Sequence, residues 1–233
     1  MSFIQAKPTA TFDFYGPIHK GLRLAHAQLL VRLGCADVDS GQAVAELVAD
    51  VRTQCHLAEH HLANEDLWVH TALEARAPGA SARLAQSHDH HRHAIEELEE
   101  LCARAEGADA LERPALMRRL YLRYSVFVAE DFAHMAEEEQ LILPVLQSLF
   151  TDEELASIED CILSGLTPEE LITFGRLMIP AATPRDRVVF LGAIRANAPA
   201  EAFGAIMEMA AKASLAPTDY ARLCDGLGVA AQG

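Results

Sequence analysis

The stretch "HHLANEDLWVH", residues 60–70, sets three histidines, two acids and the chain's only tryptophan among long apolar side chains. Apolar residues here recur at spacings of three and four, the pattern of a helix with one buried face. His61 and Glu65 stand one turn apart on that face. The stripe runs through Val44, Leu47, Val51, Ala58, His61, Glu65 and Trp68. A buried carboxylate left alone costs several kcal/mol or more, and a buried imidazole also needs a partner. The pair therefore either satisfies itself or meets a metal.

Working outward, the same periodicity predicts four long helices: about 16–33, 41–73, 81 to the "AEGAD" break, and 113–150. Pro114 suits the first turn of the last, and Pro144 predicts a kink or a new start inside it. Short joints between four long helices predict an antiparallel up-and-down bundle. The fourth stripe reads Met117, Leu120, Tyr124, Phe127, Asp131, His134, Glu138, Leu141 and Val145, with His and Glu again one turn apart in "HMAEE". The third gives Leu84, His88, His91, Ile95, Leu98 and Cys102, and the first gives His19, Leu22, His26 and Leu29. Each helix thus turns at least one histidine inward, and two add a glutamate.

One His–Glu pair is unremarkable in a core, but two on different helices, with inward histidines on the other two, point to metal. Imidazole with carboxylate suits iron, manganese or zinc. Two carboxylates from two helices can each bridge a pair of ions, and a bundle of this kind suits two irons best. By face, His90 and His93 point to solvent or the bundle edge, and His56, His60 and His70 are surface or supporting groups. His26 is a core or supporting histidine, Asp131 is placed to orient a ligand, and Tyr124 and Trp68 are core.

All eleven histidines fall between His19 and His134, so residues 1–149 and 150–233 have different tasks. The second region is read as a smaller all-helical scaffold or dimerisation element. "TDEE" at Thr151, "TPEE" at Thr167 and "TPRD" at Thr183 each set a Thr cap three residues before an acid, and two more helices follow, about five in all.

Composition bounds the rest. The 233 residues carry a net charge of −15, which disfavours nucleic acid and anionic membranes as partners. No apolar run approaches the ~20 residues that span a bilayer. The start "MSFIQAKPTATFDFYG" lacks the pattern of a signal peptide. Five scattered cysteines without a CxxC predict free thiols in a reducing compartment, so the expectation is a cytoplasmic protein.

Taken together, "GPIHKGLR", "HLANED", "SHDHHRHAIEEL" and "HMAEEEQLILP" resemble the hemerythrin-like family, also called HHE cation-binding domains, over about residues 13–149. The resemblance implies ligands His19, His61, Glu65, His134 and Glu138, with both glutamates and an oxo or hydroxo group bridging two iron ions. On helix three the family's oxygen carriers have HxxxH, which this chain lacks, so His88 and His91 are the inward candidates there. The implied function is a non-haem diiron protein that binds oxygen, nitric oxide or peroxide for sensing, scavenging or storage, rather than an enzyme. The alternatives are a diiron oxidase or peroxidase, with Asp131 or Tyr124 serving proton or electron transfer, and an interaction protein whose docking follows its metal state, with a possible homodimer through the C-terminal region.

Overall fold

The computed structural model describes residues 10–230 and is all helical, with no strand among them. Residues 1–9, on which part of the signal-peptide expectation bears, lie outside the described residues. No described helix is long and apolar enough to cross a membrane.

The elements are α1 (Tyr15–Gly34), α2 (Gly41–Asn64), α3 (Thr71–Arg76), α4 (Ala82–Glu106), α5 (Arg113–Glu137), α6 (Leu143–Leu149), α7 (Asp152–Ser164), α8 (Pro168–Ala181), α9 (Pro184–Asn197), α10 (Ala200–Ile206) and α11 (Pro217–Leu227). α2 passes into α3 through a π-helical turn, Glu65–His70, and α5 into α6 through another, Glu138–Ile142. A third, Met207–Lys212, follows α10.

The described residues form two units, 10–13 with 25–162 and 14–24 with 163–230, and α1 contributes to both. In the first unit, four helices feed one core: Leu29 and Leu33 from α1, Val44 to Ala58 from α2, Ala94 to Ala105 from α4, and Leu116 to Val128 from α5. Ser40 caps α2 by accepting from the Ala43 N–H. Thr151 and Glu154 exchange side-chain-to-backbone bonds at the start of α7.

In the second unit, Thr167 and Glu170 form a reciprocal capping box on α8, and Thr183 caps α9. The core of Ile179, Leu191, Met207, Ala210, Leu215, Leu223 and their neighbours is separate from the first. A Cβ at Gly21 would stand 3.0 Å from the Leu177 carbonyl oxygen, so only glycine lets α1 lie this close to α8. Buried Arg187 donates to the carbonyls of Ile179 and Pro180 at the end of α8.

The π turns correct the stripe. Each takes one more residue than an α turn, so the faces beyond it slip by one position. Trp68, Leu141 and Val145, expected in the core, are exposed at 36, 56 and 38%. The buried positions are Val69, His70 and Leu73 after the first turn, and Leu143, Leu146 and Phe150 after the second. His70, expected among surface or supporting groups, is thereby buried. Pro144 sits in the first turn of α6, where the missing N–H costs least, so the break falls just before it.

Candidate metal centre

Both glutamates of the two HxxxE pairs are the first residues of their π turns. Single π turns concentrate at functional sites, where they re-aim side chains at some cost in backbone geometry. Glu65 and Glu138 are both buried, at 2% and 0% exposure. Donor atoms of Glu65, His88, His134 and Glu138 all lie within 4.8 Å of one another, and those of His61, Glu65 and Glu138 do so as well. The two glutamates thus belong to both groups.

The spacings suit an ion. His88 Nε2 stands 3.1 Å from His134 Nε2, 3.5 Å from Glu65 Oε2 and 3.8 Å from Glu138 Oε1. His134 Nε2 is 3.4 Å from Glu138 Oε1, and His61 Nε2 is 3.1 Å from Glu65 Oε1. Two donors each ~2.1 Å from a first-row ion, at tetrahedral or right angles, are roughly 3.0–3.4 Å apart.

Supporting bonds fix which ring nitrogens face inward. His88 Nδ1 donates to Asp66 Oδ1 at 2.8 Å, which leaves its Nε2 as a lone pair. Asp66 Oδ1 also receives His70 Nδ1 at 2.9 Å, and its other oxygen receives Arg92 at 2.6 Å. Asp66, His70 and His88 form a third donor group. These shorter distances are hydrogen bonds, and Arg92 already occupies the charge of Asp66. Burial pushes the Asp66 carboxyl up, but the Arg92 bond and the His88 ring outweigh it and hold the carboxyl below its ordinary value. Ser87 Oγ lies 3.2 Å from His134 Nδ1, and the Ser87 carbonyl accepts from His91 Nδ1 at 2.7 Å. Sequence reasoning missed Asp66; its place one residue after Glu65 in "NEDLWVH" carried no signal without the π turn.

Burial favours the neutral, ligating form of three of these histidines. His88 falls to about 4, mainly through burial, against the pull of Asp66. His91 and His70 are lowered for the same first reason. The two glutamates are raised well above their ordinary value, first by burial, then for Glu65 by Glu138 and for Glu138 by Asp131. Two buried carboxyls side by side resist ionising together unless a cation joins them.

The remaining expected residues are placed as follows. His19 is fully buried on the part of α1 that belongs to the second unit, its ring stacked on Tyr15. His91 is buried with Nε2 3.7 Å from Asp131 Oδ1, outside the donor groups but with its ring 5.0 Å from that of His134. His26 lies between Tyr124, at 2.7 Å, and Asp131, at 3.5 Å. His90 and His93 are exposed and pair with Glu130 and Glu96. His56 is exposed, and His60 is half-buried against Asn64.

No family model matches the chain, and no curated protein or solved structure matches it either. What the site can do therefore rests on its own chemistry: inward imidazoles and two shared, buried carboxyls that can hold metal.

Asp66→Asn keeps the shape of the Asp66 side chain but removes the charge that fixes His88. The expected loss is ~10–100-fold in metal affinity, the usual weight of an outer carboxylate–histidine partner. Competition with a chromophoric chelator measures it; wild-type affinity would show that His88 needs no such support.

Proposed function

We propose that the first unit is an antiparallel four-helix bundle of the hemerythrin-like kind that binds two iron ions and takes up a small oxidant: oxygen, nitric oxide or peroxide. The joints at 35–40, 77–81 and 107–112 are short, which suits helices that reverse direction at each step. Glu65 and Glu138 would supply carboxylate oxygens to both ions. His61 serves one ion, with His19 as its companion on the sequence resemblance alone. His88 and His134 serve the other, with His91 as the nearest further imidazole. The single observation that carries this reading is the sharing of Glu65 and Glu138 by two donor groups. Imidazole and carboxylate together favour iron, manganese or zinc, and the paired bridge is the pattern of two-iron bundles.

Iron, when bound, supplies reversible redox chemistry toward the small ligand. The chain's residues hold it: Asp66 and Ser87 aim the imidazoles, and the apolar core below excludes water. The direct test is an optical spectrum of freshly purified, iron-replete protein, first under air and then after anaerobic reduction. Absorption that bleaches on reduction and returns with oxygen, nitric oxide or peroxide supports the proposal. A spectrum without metal bands in either state overturns it.

Face assignment gives a sharper check. His60 and His61 are separated by about 100° around the helix; His61 reaches Glu65, whereas His60 meets Asn64. His61→Ala should lower bound metal strongly, whereas His60→Ala should leave it near wild type. Elemental analysis of the two variants showing equal loss would contradict the assignment.

A further inference from the structure

We propose that Tyr124 is a redox-active tyrosine that gives one electron to the metal centre while His26 takes its proton. The inference rests on the iron reading above. Tyr124 lies in the apolar core of the first unit, at 0% exposure, between Leu120 and Phe127 on its own helix. A phenylalanine would fill that space; the hydroxyl instead meets His26 Nδ1 at 2.7 Å, and His26 is also fully buried. Burial raises the Tyr124 phenol and, with His91, lowers His26 to about 4, so both partners are neutral. The Asp131 carboxylate, with Oδ2 3.5 Å from His26 Nε2, places the ring proton on Nε2, which leaves Nδ1 to accept from the phenol. Asp131 Oδ1 in turn lies 3.7 Å from His91 Nε2, beside His134. Buried groups in contact thus connect the phenol to a proposed ligand.

A phenol gives up an electron readily only when its proton leaves with it. The waiting acceptor here is a neutral imidazole, and the ion it would become faces a carboxylate. Phe127 and Phe132 present their rings to His26 and keep the pair dry. In the step, the Tyr124 O–H bond breaks, the proton moves to His26 Nδ1, and the electron passes toward hydrogen peroxide held at the centre. Peroxide needs two electrons and two protons to become two waters. Tyr124 supplies one electron; the other would come from a half-reduced centre, and the protons from solvent. The phenoxyl radical that remains is reduced by an external one-electron donor such as ascorbate.

The experiment is freeze-quench electron paramagnetic resonance of the full, iron-loaded chain, reduced by one electron per centre and mixed with one equivalent of hydrogen peroxide. The expected result is an organic radical whose hyperfine pattern collapses with ring-deuterated tyrosine. It should be absent in Tyr124→Phe, which keeps the ring that fills this space and keeps its iron. His26→Gln, which keeps iron but offers no imidazole, should also lose the signal. Iron-loaded wild type without a radical, or an equal radical in Tyr124→Phe, overturns this inference alone. A chain that takes up no iron overturns it together with the reading it rests on.

Discussion

Glu65→Ala and Glu138→Ala should each empty the whole centre rather than half of it. Each carboxyl sits in both donor groups, so removing one takes a ligand from both proposed ions. The loss should exceed the ~10–100-fold that a supporting partner carries, and metal retained after gel filtration measures it. The same positions carry a stability cost that runs the other way. In the metal-free chain both glutamates are raised well above 4.5 by burial, with Glu138 and Asp131 adding to it. A carboxyl raised in the folded state binds protons that the unfolded chain releases. Its contribution is present in full below the ordinary glutamate value and is lost as pH rises through the raised values. The lowered histidines work in the opposite sense: their contribution is present above 6.5 and is lost as pH falls toward about 4 for His26 and His88. The difference between wild type and a Glu65→Gln/Glu138→Gln double variant isolates the glutamates. Metal-free double variant should be more stable than metal-free wild type at pH 8, by on the order of 1–4 kcal/mol, and should lose that lead near pH 4. Denaturant unfolding at the two pH values tests this; a lead that does not change with pH contradicts it.

Chelation is the second large effect. An ion that binds only the folded chain, present at 100 times its Kd, adds about 2.7 kcal/mol. For a domain of this size that corresponds to a melting temperature higher by roughly 5–11 °C. The apo chain should still fold, because the core below the centre is apolar and independent of metal: Val48, Val51, Leu98, Leu120 and Phe127 are fully buried there. Amide exchange should speed up around Glu65, His88 and His134 and stay slow around Leu98 and Leu120. Identical melting and exchange with and without metal would show that the inward cluster is held by something else.

Much of this was legible in the sequence, for identifiable reasons. The stripes from Val44 to Glu65, from Leu84 to Cys102 and from Met117 to Glu138 lie on the buried face, because regular α-helical phase holds over each of them. The histidine faces followed from the same phase: His88 and His91 are in, His90 and His93 are out. Legibility ended at Glu65 and Glu138, where the π turns begin. Nothing in "EDLWVH" or "EEQLI" marks an extra residue, so the α-helical phase puts Trp68, Leu141 and Val145 on a face they do not occupy, while His70 takes the supporting place beside Asp66. Asp66 was missed for the same reason. The capping motifs at Thr151, Thr167 and Thr183 were readable because a Thr followed by an acid three residues later is a local device. The grouping of 14–24 with 163–230 rests on long-range packing such as that of Gly21 against Leu177, which no local pattern carries.

The most direct measurement is the metal count. Protein expressed with ample iron and freed of loosely held ions by gel filtration should carry about two irons per chain, falling to none in Glu65→Ala and in Glu138→Ala. One ion per chain, zinc in place of iron under iron-replete conditions, or a full complement in either variant would contradict the shared-carboxylate centre.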